Sequence, residues 1–325
     1  MSNPIREFAY GPTDQEHYAW DAETDQWVVV PLKEAHAPLD QPLSQFSLIT
    51  WNVDAYSAGG PTRMSAILDY LLALISSRRD DIPVVIFLQE MAPASLRQIT
   101  TTGWVQKQFY ITDIDNTRWM DHVYGTTTLV DRRLHVEKAF RVHYRDKTDF
   151  GRDGLFIDIN ARPPGASAGA RLRLCNTHLE SLVAEPPLRP GQVAIVSKYL
   201  HSPEIYGSVF AGDMNSIEPF DRTLHTAHGF VDAYLALGGS EDSEDSYTWG
   251  PQSTRDLRER YGNQRLDKVW YSGGVTAESL ERIGQGARVE ESKRKKMRSF
   301  GALDFVSDHI GLIATLRVSA MRTEG

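Results

Sequence analysis

A single cysteine, Cys175, stands in a chain of 325 residues. One thiol cannot close an intramolecular disulfide, and the scarcity fits a reducing compartment. Cys175 falls in an apolar run, so it reads as a small core residue rather than a nucleophile. Long apolar runs are lacking as well. Nothing approaches the roughly 20 residues of a membrane span, and no apolar stretch follows Met1 as a secretory signal would require. The expectation is an intracellular protein, nuclear or cytoplasmic, monomeric and without a membrane partner. Positive net charge is missing too. A formal balance of −8 excludes indiscriminate coating of nucleic acid, while a local basic groove depends on arrangement rather than on the sum.

What is present is an ordinary globular composition, 41% hydrophobic and 24% charged, enough for one large α/β domain or two smaller ones. Residues 1–45 read as an N-terminal extension. Tyr18, Trp20, Trp27 and Val28-Val29-Val30 suit one hairpin, packed as an arm on a main domain spanning 46–320. Met64, Ile67, Leu68, Leu71, Leu72 and Ile75 recur at helical spacing after Pro61-Thr62, and Val193, Val196 and Leu200 mark a second helix. The run Val84 to Leu88 is too short and too apolar for a surface helix and predicts a buried strand. Segments 122–130, 134–144, 154–160 and 171–177 predict a meander, with further strands over 207–211, 266–271 and 310–318. This order predicts an α/β fold of four layers, with two mixed β-sheets face to face and helices on the outer faces.

The apolar runs share a habit of stopping at polar groups. They end at Asn52, Glu90, His178, Asp213 with Asn215, Asp267, and Asp308 with His309. Strands ending this way can aim such groups at one spot, and oxygen-rich ligands with a few His and Asn residues suit hydrolysis on Mg²⁺ or Mn²⁺. Glu90 follows five apolar residues, where a carboxylate needs a partner, and a metal is the natural one. A paired structural carboxylate is the plain alternative. Gly212 is expected to make a tight turn that exposes Asp213 and Asn215 together, although an Asx-turn ending the strand is an equal reading. Asp267 could hold the His309 ring and favour its charged form.

In order, Thr50-Trp51-Asn52, Leu88-Gln89-Glu90, Asn176-Thr177-His178-Leu179, Gly212-Asp213-Met214-Asn215, Leu266-Asp267 and Ser307-Asp308-His309 resemble the signatures of the endonuclease/exonuclease/phosphatase superfamily. Each is short; their joint order over residues 46–318 is specific. Thr50-Trp51-Asn52-Val53-Asp54, His178-Leu179-Glu180-Ser181 and Thr248-Trp249 are most similar to the branch that releases tyrosine from DNA 5′ ends. Met214 stands where that branch has Thr, and Ala55 where it has Gly. The resemblance implies a Mg²⁺-dependent phosphodiesterase of DNA repair acting on single-stranded or end-frayed DNA with a 5′-tyrosyl adduct. Glu90 and Asp308 would hold the metal with Asn52 nearby, Asp213 would orient the attacking water, and Asn215 would fix the phosphate. His178 and His309, the latter supported by Asp267, would donate to the phosphate. Trp249 would stack on the terminal nucleotide, or else be a plain buried Trp. Tyr124, Arg152 and Ser181 are candidates for phosphate contacts, with a surface ion pair to Asp149 or Asp153 the alternative for Arg152.

Other readings keep their place. The same site could act on an abasic-site DNA end, an RNA 3′ end, or a lipid or sugar phosphate, or the scaffold could be a catalytically silent binder. Gly165-Ala166-Ser167-Ala168-Gly169 formally fits a serine-hydrolase elbow, but it joins two strand-like segments, where an elbow needs a strand and then a helix. The cluster Lys293-Arg294-Lys295-Lys296 with Arg298 reads as a solvated loop, a nuclear address or a contact with nucleic-acid phosphates.

Overall fold

In the computed structural model the residues described are 11–31, 42–79, 81–164, 169–299 and 303–320. The first strands are β1 (Thr13–Gln15), β2 (Tyr18–Asp21), β3 (Gln26–Val29) and β4 (Gln45–Asn52). Helix α1 (Gly60–Ser76) leads to β5 (Val84–Met91), and α2 (Pro93–Thr100) and α3 (Gly103–Gln108) lead to β6 (Phe109–Ile111). Then come β7 (Gly125–Asp131), β8 (His135–His143), β9 (Asp153–Ala161) and β10 (Ala170–His178), followed by α4 (Arg189–Leu200) and β11 (Ile205–Asp213). The last third holds α5 (Leu224–Ala227), β12 (Val231–Asp232), α6 (Ala233–Ala236) and α7 (Arg255–Tyr261). It closes with β13 (Asp267–Gly273), β14 (Val275–Ile283), α8 (Glu291–Ser299) and β15 (Gly311–Val318).

These strands form two sheets. One runs β1-β8-β9-β10-β11-β13-β12 and the other β14-β15-β4-β5-β7-β6-β2-β3. Phe46, Leu48, Val85 and Phe87 from one sheet meet Ile157, Leu172, Leu174 and Val209 from the other in the central core. On the outer face of the second sheet, Met64, Ile67, Leu68 and Leu71 of α1 cover Ile49, Trp51 and Ile86. On the outer face of the first, Val193, Val196 and Leu200 of α4 cover Phe156, Cys175 and Phe210. The periodicity of both helices and the alternation of the strands therefore produce the expected four-layer α/β sandwich. No helix among the described residues is long and apolar enough to cross a membrane.

Among the described residues only β4–β5 and β10–β11 pair in parallel, one pair near the middle of each sheet, and α1 and α4 are their crossovers. Ligands in α/β sheets bind beyond the carboxyl ends of parallel strands. Both pairs end at the same rim, with Asn52 level with Gln89 on one side and His178 level with Asp213 on the other.

The N-terminal segment divides between the sheets. β1 edges the first sheet against β8, while the β2–β3 hairpin, with Trp20 opposite Trp27, edges the second through Ile111. Buried Arg141 ties this end together. It donates to both oxygens of Asp113 and Asp153 at 2.9–3.1 Å and to Gln15 Oε1 at 2.8 Å. The elbow-like Ser167 segment links antiparallel β9 and β10, and residues 165–168 lie outside the described residues.

Replacing Arg141 with Met should leave two buried carboxylates without their cation. Urea unfolding is expected to show a loss of about 3–5 kcal/mol, the usual cost of breaking one side of a buried ion pair.

Candidate active site

Three local devices bring the strand ends to one point. The first is a bulge in β5, where the four residues from Leu88 to Met91 oppose the three from Thr127 to Gly125. Glu90 occupies the extra position with φ 54°. Alternation alone would turn its side chain toward the helix layer, since Gln89 faces the other sheet. The bulge sends the carboxylate instead to the Ala55 N–H (3.0 Å) and the Asn52 amide (3.3 Å). The second device is Gly212. The expected turn is not there: Gly212 lies within β11 at φ 147°, and a Cβ would stand 1.9 Å from the Thr177 carbonyl oxygen. Glycine is needed for close approach of β10 and β11, and Asp213 and Asn215 are buried rather than exposed. The third is the Asx geometry after the strands. Asp54 N–H donates to Asn52 Oδ1 and Asn215 N–H to Asp213 Oδ1, both at 3.0 Å, with Asp54 at φ 57° and Asn215 at φ 45°. The Asx-turn at Asp213 is thus real and also presents the functional oxygen.

Asp213 Oδ2 sits at the centre. It accepts from Asn52 Nδ2 at 3.0 Å, and lies 3.3 Å from His178 Nε2 and 3.7 Å from His309 Nε2. Asn52 therefore bridges Glu90 and Asp213, while its oxygen is occupied by the Asp54 N–H. Asp267 Oδ2 holds His309 Nδ1 at 2.8 Å. Thr248 Oγ1 fixes that strand end by accepting from the Leu266 and Asp267 N–H groups. Asn215 donates to the Leu179 carbonyl at 3.0 Å.

Electrostatics divides the two imidazoles. Burial opposes charge on His309, but Asp267, Asp308 and Asp213 together hold its pKa well above the ordinary histidine value. His178 goes the other way, pushed well below that value by burial and by Arg152. Arg152 Nη1 lies 2.6 Å from His178 Nδ1. A guanidinium only donates, so Nδ1 accepts and Nε2 carries the proton, aimed at Asp213. Arg152 also donates to Ser181 Oγ (2.9 Å) and lies over the Tyr124 ring at 5.0 Å. The surface pair with Asp149 or Asp153 is not formed, because Arg152 is buried and Asp153 is taken by Arg141.

Trp249 is half-buried rather than sealed in the core. Its Nε1–H donates to Asp308 Oδ2 at 2.8 Å, and its ring meets Tyr261 edge-on at 6.3 Å. The twelve candidate residues form one continuous constellation, with Trp249 and Asp308 on one flank and Tyr124, Arg152 and Ser181 on the other. Sequence reasoning gave no role to Asp54, to Thr248, or to Gln252, whose amide donates to the Ser307 carbonyl at 3.0 Å and the His309 carbonyl at 3.3 Å. Asp54 had a signal, since it stands two residues after Asn52 at a strand end.

The oxygen set fits a hard divalent cation. Burial and then the charge of Asp308 push the Glu90 carboxyl up to about 7, with Asp54 adding to the rise. Burial likewise raises Asp308, with Asp54 again adding. Asp54 Oδ2 is buried without a hydrogen bond, and its nearest cation, Arg63 Nη1, is 3.8 Å away. Repelling carboxylates of this kind are what a cation would relieve. Asp213, Asp267 and His309 also bring three donor atoms within 4.8 Å of one another. There the imidazolium already supplies the positive charge, so we read that trio as a proton-holding unit.

Comparison with known proteins agrees with this geometry. The sequence profile of the Endonuclease/Exonuclease/phosphatase family matches residues 49–309. The 5′-tyrosyl-DNA phosphodiesterase of Caenorhabditis elegans is 24% identical over 279 residues, covering 83% of this chain and 67% of that protein. Human tyrosyl-DNA phosphodiesterase 2 is 25% identical over 283 residues, covering 85% and 69%. Among solved structures, D. rerio TDP2 complexed with a single-strand DNA product shares the fold at a TM-score of 0.63 and 21% identity, covering 85% of this chain and 100% of that one.

Glu90→Gln removes one of the repelling charges. In EDTA near neutral pH the variant is expected to melt higher than the parent by about 2–6 °C. Added Mg²⁺ should raise the parent's midpoint and leave the variant's nearly unmoved, as differential scanning fluorimetry would read directly.

Proposed function

Since the chain belongs to the endonuclease/exonuclease/phosphatase family of phosphoester hydrolases, we propose that it hydrolyses the 5′-phosphotyrosyl bond at DNA ends. The wall beside His178 carries this reading. Tyr124, Arg152 and Ser181 form a largely buried aromatic and cationic wall next to the reacting centre, chemically suited to a phenol and its phosphate. Likeness to the two tyrosyl-DNA phosphodiesterases over 83% and 85% of the chain supports it.

Glu90 and Asp308 would hold a Mg²⁺ ion, with Mn²⁺ an acceptable substitute, and Asn52 would keep the Glu90 and Asp213 carboxylates apart. When bound, such an ion neutralises a nonbridging phosphate oxygen and stabilises the departing oxygen. Asp213 orients the attacking water and takes its proton; burial raises its carboxyl and makes it a better base, although His309 opposes the rise. The His309 imidazolium, held by Asp267, and the Nε2–H of neutral His178 donate to phosphate oxygens, where charge builds up. Asn215 fixes the phosphate. A tyrosine phenol has a pKa near ~10, so it departs more readily than a sugar alcohol and a strong general acid is not needed.

The terminal nucleotide stacks on Trp249, on the opposite flank from Arg152. The substrate is single-stranded or end-frayed DNA, the acting species a monomer, and the setting nuclear or cytoplasmic DNA repair. Residues 46–320 are the catalytic domain in this reading, with 1–45 as its extension.

The test is tyrosine release from 5′-phosphotyrosyl single-stranded DNA with and without Mg²⁺. Release that needs the metal is expected, and none with metal present would sink the substrate assignment. Asp213→Asn and His309→Ala should each lower kcat by about 10²–10⁴-fold. Normal turnover in either would refute the mechanism. Trp249→Ala should lower kcat/KM on DNA by about 1–3 kcal/mol, mostly through KM. Trp249→Phe restores stacking but not the hydrogen bond to Asp308, so recovery of KM alone would separate the two roles.

A further inference from the structure

The sequence carries five cations in the six positions from Lys293 to Arg298, within a chain of net charge −8. The expected solvated loop is instead helix α8. It belongs to an excursion whose feet are pinned beside the site. Val289 N–H donates to the Asp304 carbonyl (3.0 Å) and Val306 N–H to the Ala287 carbonyl (3.1 Å), with Arg288 bridged to Phe305. Asp304 receives the Arg288 and Arg298 guanidinium groups. Buried Arg63 donates to the Leu303 carbonyl, at 2.7 Å, and to the Phe305 carbonyl. Ser307, Asp308 and His309 follow directly. The underside of α8 is seated as well: Met297 is buried, and the end of its side chain lies 3.3 Å from where a Gly59 Cβ would be. Gly59 caps α1, just after the Asp54–Ser57 turn.

Between this excursion and the start of α7 lies a groove of about 250 Å³ that opens on Asp54 and Asp308, with Leu257 of α7 on one wall and Leu303 and Phe305 on the other. Arg294 and Arg298 are engaged by the Val289 carbonyl and Asp304. Lys293, Lys295 and Lys296 are exposed, and among the described residues none of them forms an ion pair. Three exposed lysines thus stand on a helix whose C-terminal foot, at Val306, lies two residues from Asp308.

We propose that α8 is a phosphate rail for nucleic acid, on which Lys293, Lys295 and Lys296 contact backbone phosphates of the strand beyond the nucleotide at the reacting centre. The proposal rests on the nucleic-acid part of the reading above and adds a surface that the family motifs do not include. A membrane or protein partner fits less well. The only apolar side chain of α8, Met297, is buried, so the helix has nothing to insert into a bilayer or to seat in a protein pocket. Ammonium groups without apolar neighbours recognise charge and spacing, and that is how phosphate backbones are bound without regard to sequence.

The experiment compares the parent with a Lys293→Gln/Lys295→Gln/Lys296→Gln variant. The probe is a fluorescein-labelled, 5′-phosphorylated single-stranded oligonucleotide, titrated in Mg²⁺ at several salt concentrations and read by anisotropy. Losing three contacts should reduce the slope of log affinity against log salt by about 2, with weaker binding by roughly 10–100-fold at low salt. Hydrolysis of thymidine 5′-(p-nitrophenyl phosphate), which is too short to reach α8, should be unchanged and controls for folding. An unchanged slope and affinity overturn the proposal. So does loss of binding to phosphatidylserine vesicles with oligonucleotide binding intact. If the slope falls as expected while the parent leaves 5′-phosphotyrosyl DNA intact, the rail stands and the substrate reading fails.

Discussion

Everything at the rim depends on a pair of buried amides beneath it. Gln89 Nε2 donates to Asn176 Oδ1 at 2.8 Å and to Thr50 Oγ1 at 3.0 Å. Asn176 Nδ2 reaches back to the Thr127 carbonyl at 3.0 Å and Thr128 Oγ1 at 3.3 Å. Both amides are fully buried, and the bonds that join Gln89 to Asn176 and Asn176 to Thr127 and Thr128 cross from one sheet to the other. An apolar interface alone is non-directional, and two sheets held only by Leu, Val and Phe could slide by a fraction of a residue at small cost. Buried amides cannot slide, because each lost bond leaves a desolvated group costing about 1–3 kcal/mol. Gln89 precedes Glu90 and Asn176 lies two residues before His178. Locking one pair therefore sets the height at which Glu90 and Asn52 from one sheet meet His178 and Asp213 from the other.

Above that lock the molecule concentrates unfavourable features. Asp54, Glu90 and Asn215 all hold left-handed backbone conformations, which cost of order 1–3 kcal/mol each in a non-glycine residue. Five carboxylates, Asp54, Glu90, Asp213, Asp267 and Asp308, share a small volume with His309 as the central cation and with Arg63 and Arg152 at its edges. The strained positions are those whose carboxylate or amide must leave the regular alternation of a strand to face the centre. Stability is supplied by the three apolar cores and by buried ion pairs such as Arg141 with Asp113 and Asp153.

How much of this was legible follows from the range of the forces involved. Helix α1 and strands β9 and β10 were readable because periodicity in burial is a local property of sequence. The ends of the apolar runs pointed to the site because a strand that must carry a polar group toward a reaction centre puts it at its own end. Glu90 could be read as functional, but not its bulge, which appears only when Leu88 and Met91 are set against Thr127 and Gly125. Gly212 looked like a turn residue because a glycine near a strand end usually is one. The Thr177 carbonyl that excludes a Cβ belongs to another strand. Arg152 looked ready for a neighbouring aspartate, and the antiparallel register of β9 on β10 gave it His178 instead. Polar α8 has no apolar periodicity to announce it, since a single buried Met297 seats it.

The same reasoning gives the site a direction. Arg152 does two things at once. Its guanidinium fixes which nitrogen of His178 bears a proton and lies over the Tyr124 ring, so in the proposed reaction the phosphate and the departing phenol would both depend on one side chain. Trp249 is the counterpart on the far flank, where its indole N–H holds Asp308 and its half-buried ring is the proposed stacking surface for a base. In the proposed reaction the bond broken between these flanks would separate an aromatic leaving group on one side from a nucleotide on the other. The local charge follows the same division, because the lysines of α8 stand on the Asp308 side alone. A polyanion approaching a protein of net charge −8 is repelled overall, so it gains most where cations are concentrated and little elsewhere. On the proposed substrate, a basic helix whose foot at Val306 lies two residues from Asp308 would thus favour the orientation that brings the scissile phosphate to His309 with the nucleotide on the Trp249 side.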